Sequence, residues 1–135
     1  MILVDTNVLV DVFQNDPEWA DWSIAQLRAQ AQIHELAINA VVYSELSAAF
    51  ERCEELDSAV SGLNPVLLEI PRPALFLAGK AFVRYRKAGE SKSNVLPDFL
   101  IGAHAAVEKM PLLTRDVRRY RRWFPGVTLM SPPTG

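Results

Sequence analysis

Met1 to Val4 is a short run of mostly branched apolar residues that ends at once in Asp5-Thr6-Asn7, three small polar residues. The apolar run suits a strand buried on both faces, and the polar triplet suits a turn or a helix cap. Val8 to Phe13 is apolar again and fits the opening of a helix, with Asp11 read as a solvent-facing acid. In an open parallel sheet, ligands gather outside the carboxyl ends of the strands. Asp5 would stand at that edge on a central strand. Taken alone, it is equally well explained as the cap of the following helix.

The rest of the chain alternates in the same way. Asp16-Pro17-Glu18 is a helix start, with a capping acid and proline at the first helical position, and the helix runs to about Gln32. Its apolar residues Trp19, Trp22, Ile24 and Leu27 are assigned to the core. Leu36-Ala37-Ile38 reads as a second strand, and Asn39 caps a helix from Ala40 to about Cys53. Val42, Leu46, Ala49 and Phe50 mark the buried stripe of that helix, and Glu45 falls within it. An inward carboxylate is expensive unless it is paired or binds a metal. Cys53 is assigned to the core.

Residues 54–62 read as a short helix, Val66-Leu67-Leu68 as a third strand, and Pro71-Arg72-Pro73 as the opening of a helix that continues to Ala88 and stops at Gly89. Residues 89–94 form a polar loop. In Leu96-Pro97-Asp98, proline fits the first helical position and Asp98 the first turn, where the helix dipole favours an acid. Gly102, one turn further on, costs about 1 kcal/mol relative to alanine, so it serves close packing or leaves room in a site. Pro111 to Thr114 reads as a strand, Val117 to Trp123 as a short basic helix, and Val127 to Met130 as an edge strand.

Strands alternating with helices predict an α/β fold with a parallel sheet. There Asp5, Asp98 and Asp116 start or precede helices, and Glu45 sits in a helix that follows a strand. The four carboxylates converge on one end of the sheet. Clustered like charges repel and raise one another's pKa unless a cation neutralises them. Oxygen ligands without clustered Cys or His suit Mg²⁺, or Mn²⁺ in its place, rather than Zn²⁺. Such ions can activate water for phosphodiester cleavage.

Charge is distributed unevenly along the chain. Residues 1–71 carry twelve Asp and Glu against Arg28 and Arg52, a net of −10, whereas residues 72–135 carry twelve Lys and Arg against four acids, a net of +8. An acidic site beside a surface able to receive a polyanion fits this split, as do two ordinary solvated faces. Arg84, Arg86, Lys87, Lys92, Arg115, Arg118, Arg119, Arg121 and Arg122 are candidates to meet phosphates. Ser91, Ser93 and Asn94 are further candidates; Tyr85, Tyr120 and Trp123 are candidates to stack on a base. His34 and His104 are read as non-catalytic. The single cysteine excludes a disulfide framework and fits a reducing compartment. The amino end lacks the basic lead of a signal peptide, and no run is long enough to span a membrane.

With Asp5-Thr6-Asn7, Glu45, the segment Leu96 to Ala105 and Leu113-Thr114-Arg115-Asp116 in this order, the sequence resembles the PIN-domain ribonucleases, and among them the VapC-type toxins of toxin–antitoxin pairs. The resemblance implies a three-layer α/β/α fold with a mostly parallel sheet and one domain over residues 1–135. It implies a cytoplasmic, metal-dependent endoribonuclease with Asp5, Glu45, Asp98 and Asp116 as ligands, directly or through water. Thr6, Asn7 and Thr114 match supporting positions. It further implies a homodimer blocked by an antitoxin. A solitary PIN nuclease and a non-catalytic binding module are the alternatives. A phosphoryl-transfer domain of the haloacid-dehalogenase or response-regulator type fits less well: the first expects an Asp where Asn7 stands, and the acid pair and late lysine of the second are not evident.

Overall fold

A computed structural model of the chain describes residues 1–90, 92 and 94–133. Five short strands, β1 (Ile2–Val4), β2 (Leu36–Asn39), β3 (Val66–Leu68), β4 (Leu112–Leu113) and β5 (Leu129–Met130), form one sheet in the order β3-β2-β1-β4-β5. Every pairing is parallel. The helices are α1 (Thr6–Phe13), α2 (Ala20–Ala31), α3 (Ala40–Ser47), α4 (Cys53–Ser61), α5 (Arg72–Lys87), α6 (Leu96–Glu108) and α7 (Arg118–Trp123). They complete a three-layer α/β/α arrangement in which α5 runs along α6 and α1 packs on α2 and α3. Among the described residues, no helix is long and apolar enough to cross a membrane.

β1 is central, as its composition requires: Ile2, Leu3 and Val4 are fully buried between the layers. Leu3 is in register with Ala37 on one side and Leu112 on the other. The chain builds outward from β1 to β2 and β3, then crosses back to β4 and β5. The strand order therefore reverses beside β1, and the crevice outside the carboxyl ends of β1 and β4 is where such a sheet binds ligands. Asp5 and Thr114 follow those two strands directly.

Two expectations fail on one cause. The helix expected over residues 40–53 breaks after Ser47, and a second helix starts at Cys53. Phe50 leaves the helical path to meet Phe13 edge-on, with ring centroids 5.6 Å apart. The buried stripe of α3 is thus only Val42 and Leu46; Ala49 and Glu45 are exposed. Cys53 is displaced from the core to an exposed position beside the Tyr43 hydroxyl, 3.1 Å away. The helix expected to start at Asp16-Pro17 begins only at Ala20, so Pro17 is not its first helical residue. Asp16 Oδ1 accepts from the backbone N–H groups of Glu18 and Trp19 in a turn that leads into α2. Leu27 of α2 is fully buried, while Trp19 just before the helix and Trp22 and Ile24 within it are half-buried.

Gly102 serves close packing. A Cβ placed there would lie 2.6 Å from Cδ2 of Phe124, a ring buried against Phe99. Gly102→Ala is expected to lower the unfolding free energy by about 1–3 kcal/mol, the usual range for overpacking a tight core, read from urea denaturation. An unchanged midpoint would mean that Phe124 moves aside freely.

Candidate metal centre

Asp5 is both a helix cap and a site residue. Its Oδ1 accepts from the backbone N–H of Thr6 at 2.8 Å and so caps α1. Its Oδ2 accepts from the hydroxyls of Thr114 at 2.8 Å and Tyr120 at 2.9 Å. Burial pushes its pKa up to about 7; these hydrogen bonds oppose the rise, and the charge of Asp98 adds to it. Asn7 Nδ2 sits 3.4 Å from both Asp5 Oδ2 and Thr114 Oγ1, and the hydroxyl of Thr114 also accepts from Asp116 N–H at 3.0 Å. Asp5, Asn7 and Thr114 thus form one connected knot across β1 and β4.

Glu45 reaches the same edge from α3. Its Oε1 accepts from the Thr6 hydroxyl at 2.6 Å. α3 itself is held by Asn39, whose Oδ1 accepts from the N–H groups of Val41 and Val42. The Asn39 amide in turn donates to Nδ1 of buried His104 at 3.1 Å. Burial lowers the pKa of His104, so this ring is a neutral strut between α6 and β2.

Asp98 lies in the first turn of α6 behind Pro97 and is paired with Arg119 of α7. Its pKa is raised, mainly by burial and then by the charges of Glu45 and Asp116, while Arg119 opposes the rise. Asp116 is exposed. The four acids therefore share one field at one sheet edge, although Glu45 arrives from the flank of its helix and not from a buried stripe.

Among the described residues, no three His, Cys, Asp or Glu side chains stand close enough together in this arrangement to hold a metal ion. Asp98 is occupied by Arg119, Glu45 by Thr6, and Asp5 by two hydroxyls. The donor set nevertheless suits a hard divalent cation: it is all oxygen, and Asp5 and Asp98 are driven toward protonation by burial and by neighbouring acids.

Three side chains are placed otherwise than the sequence suggests. Tyr120 is buried on Asp5 and cannot stack on a base; its signal was the spacing Tyr120–Phe124, one inward face of a short helix. Tyr85 is likewise buried, edge-on to Phe99 and Trp123. Asp11 is not solvent-facing. It is 2% exposed and accepts from Arg115 Nε at 2.7 Å, Arg115 Nη2 at 3.0 Å and the Ser23 hydroxyl at 3.0 Å. Of the proposed phosphate contacts, Arg115 and Arg119 are thus committed to acids and Arg122 pairs with Glu90 at 2.8 Å. Arg118, Arg121 and Lys92 are exposed, as are Arg84, Arg86, Lys87 and Asn94. Ser91 and Ser93 lie outside the described residues.

The sequence profile of the PIN domain matches residues 2–123. The chain belongs to the PIN domain family. Solved structures share its fold across almost the whole length. VapBC2 from Rickettsia felis, bound to a DNA fragment from the promoter, aligns with a TM-score of 0.75 at 22% identity, covering 98% of this chain and 100% of the other. VapBC-1 from nontypeable Haemophilus influenzae gives 0.72 at 19% identity over 97% and 98%. A toxin–antitoxin complex from Klebsiella pneumoniae gives 0.66 at 23% identity over 95% and 96%. At these identities the likeness is one of fold. No curated protein matches the chain. The acidic edge of this PIN domain is therefore read from its own residues.

Proposed function

We propose that this PIN domain, a single domain over residues 1–135, is a divalent-metal-dependent endoribonuclease. It acts as the VapC-type toxin of a toxin–antitoxin pair, works in the cytoplasm as a homodimer and is silenced by its antitoxin. The observation that supports this best is the convergence of Asp5, Glu45, Asp98 and Asp116 on the sheet's switch-point edge, with Asp5 held at a pKa of about 7 by burial. The solved toxin–antitoxin complexes of the same fold support the toxin role.

In this reading the four carboxylates hold Mg²⁺, or Mn²⁺ in its place. Bound there, the ion supplies the Lewis acid that activates water and stabilises charge developing on a phosphodiester. The protein's own part is positional. Thr114 and Tyr120 hold Asp5 Oδ2 from two directions, Thr6 holds Glu45, and Asn7 ties the start of α1 to Thr114. These hydrogen bonds fix oxygens on three different elements with respect to one another, the precision that supporting contacts bring to a metal site.

The experiment is cleavage of total cellular RNA by purified protein with Mg²⁺ or with EDTA, repeated with Asp98→Asn. Losing even a supporting hydrogen bond commonly costs a metal site roughly 10–100-fold, so losing a ligand is expected to cost at least about 100-fold. Cleavage that persists in EDTA, or Asp98→Asn as active as the wild type, would refute the mechanism. For the toxin role, expression should arrest growth, and co-expression of a small neighbouring reading frame should restore it. Arrest that no neighbour relieves would leave a solitary nuclease.

A further inference from the structure

Arg119 faces two places at once. It pairs with Asp98, and it also lines a cavity of about 510 Å³ together with Lys92, Asp116, Arg118 and Arg122. Its helix is pinned from beneath, because the next residue, Tyr120, is buried and bonded to Asp5. The choice between the two places is therefore a rotation of one long side chain and not a movement of α7. Arg119 and Asp98 are each partly exposed, at 21% and 27%, so the pair is of the moderate kind that another ion can displace.

A divalent ion at Asp98 would meet the guanidinium as a like charge and expel it. The adjoining space is the cavity, whose wall already carries Lys92, Arg118 and Arg122, the last partly neutralised by Glu90. Glu90 and Asp116 on the same wall leave it net positive even before the guanidinium is added, so a fourth cation turned into that space favours a further anion there. The occupant this arrangement fits is a phosphate of the RNA strand next to Asp116, since Arg is a strong, directional phosphate ligand.

We propose that Arg119 is a two-position cation, neutralising Asp98 until a divalent ion binds and then turning into the cavity beside Asp116 to hold a phosphate of the RNA strand. The first position rests on the metal site proposed above and the second on the nuclease activity proposed with it. In the first position the residue guards the acid; in the second it is a positioning residue for the strand.

The test begins with calorimetric titration of Mn²⁺ into EDTA-stripped protein at alkaline pH, where the carboxylates are charged. Arg119→Met should bind Mn²⁺ about 5-fold tighter, the scale of a partly exposed ion pair removed from competition, while Arg119→Lys should stay near the wild type. At saturating Mn²⁺ the methionine variant should then show a KM for single-stranded RNA raised by about 10-fold, the order of one charge-assisted contact to phosphate, with kcat changed much less. Mn²⁺ affinity that is unchanged or weaker in Arg119→Met overturns the first position. Tighter Mn²⁺ with an unchanged KM overturns the second. Arg119→Gln replaces the methionine variant if urea denaturation shows the latter unfolded. Wild-type protein that cleaves no RNA would sink the nuclease reading, and the calorimetry would still decide the first position.

Discussion

Arg115→Met is expected to lower the unfolding free energy by about 3 kcal/mol, the lower end of the range for removing one partner of a buried ion pair, because Asp11 is buried while Arg115 is 32% exposed. Asp11 is 2% exposed, and Arg115 grips both of its carboxylate oxygens. Without that fork, the Ser23 hydroxyl is the one side-chain partner left to the Asp11 carboxylate among the described residues. The guanidinium also lies over the Trp19 ring, 5.6 Å from its centroid, so α1, α2 and the turn after β4 loosen together. Replacing both partners, as Asp11→Leu with Arg115→Met, should recover much of the loss, because apolar isosteres of a buried pair are often neutral or better. Urea denaturation of the three variants measures this. A single variant within about 1 kcal/mol of the wild type, the usual worth of a surface pair, would show that Asp11 reaches water after all.

Metal-free protein should become more stable as pH falls through neutrality. Asp5 has a pKa of about 7 in the folded chain against 3.8 as the ordinary value. The folded state therefore binds this proton more tightly than the unfolded state does. The resulting stability is fully present below the unfolded value and is lost as pH rises through about 7. The ceiling is about 4 kcal/mol, and about 2 kcal/mol of it should appear between roughly pH 8.5 and pH 5.5. His104 works in the opposite direction, since its lowered pKa makes protonation below its ordinary 6.5 favour unfolding. The measurement is thus the stability difference between wild type and Asp5→Asn in EDTA, from which the His104 contribution cancels. The variant should lead at alkaline pH, and the wild type should gain on it as pH falls. Added Mg²⁺ should stabilise the wild type most above pH 7, where it takes the proton's place. A difference that does not vary with pH would mean that Asp5 is hydrated and unstrained.

Much of the fold could be read from the sequence because local signals and tertiary demands agree there. Met1 to Val4 is too apolar to be anything but a central strand, and Pro97 with Asp98 opens α6 where expected. The failures share a physical cause: they concern side chains whose partners lie far away in sequence. Asp11 and Arg115 are separated by 104 positions, and Tyr120 and Asp5 by 115. Nothing near Asp11 reveals a guanidinium, although an acid in the run Val8 to Phe13 was itself a sign of a buried partner. Glu45 meets the Thr6 hydroxyl from an exposed flank of α3, since the stripe expected to hold it ends where Phe50 turns toward Phe13. Arg119 stands in a run of similar arginines, and only packing distinguishes it from Arg118 and Arg121.

The bonds from Thr114 and Tyr120 to Asp5 also set a schedule. A ribosome adds about 5–20 residues per second, so these donors emerge some 5–20 s after the carboxylate they hold. β1 waits as long for β4, its partner on one side, and parallel pairing over such separations is slow in any case. During that interval Asp5 is an acid without its hydroxyls, and α7 is absent from the sheet's edge. The half-made chain cannot align its carboxylates. A chain of this topology completes the hydrogen bonding of its acidic edge only after residues 114–120 have been synthesised, long after Asp5.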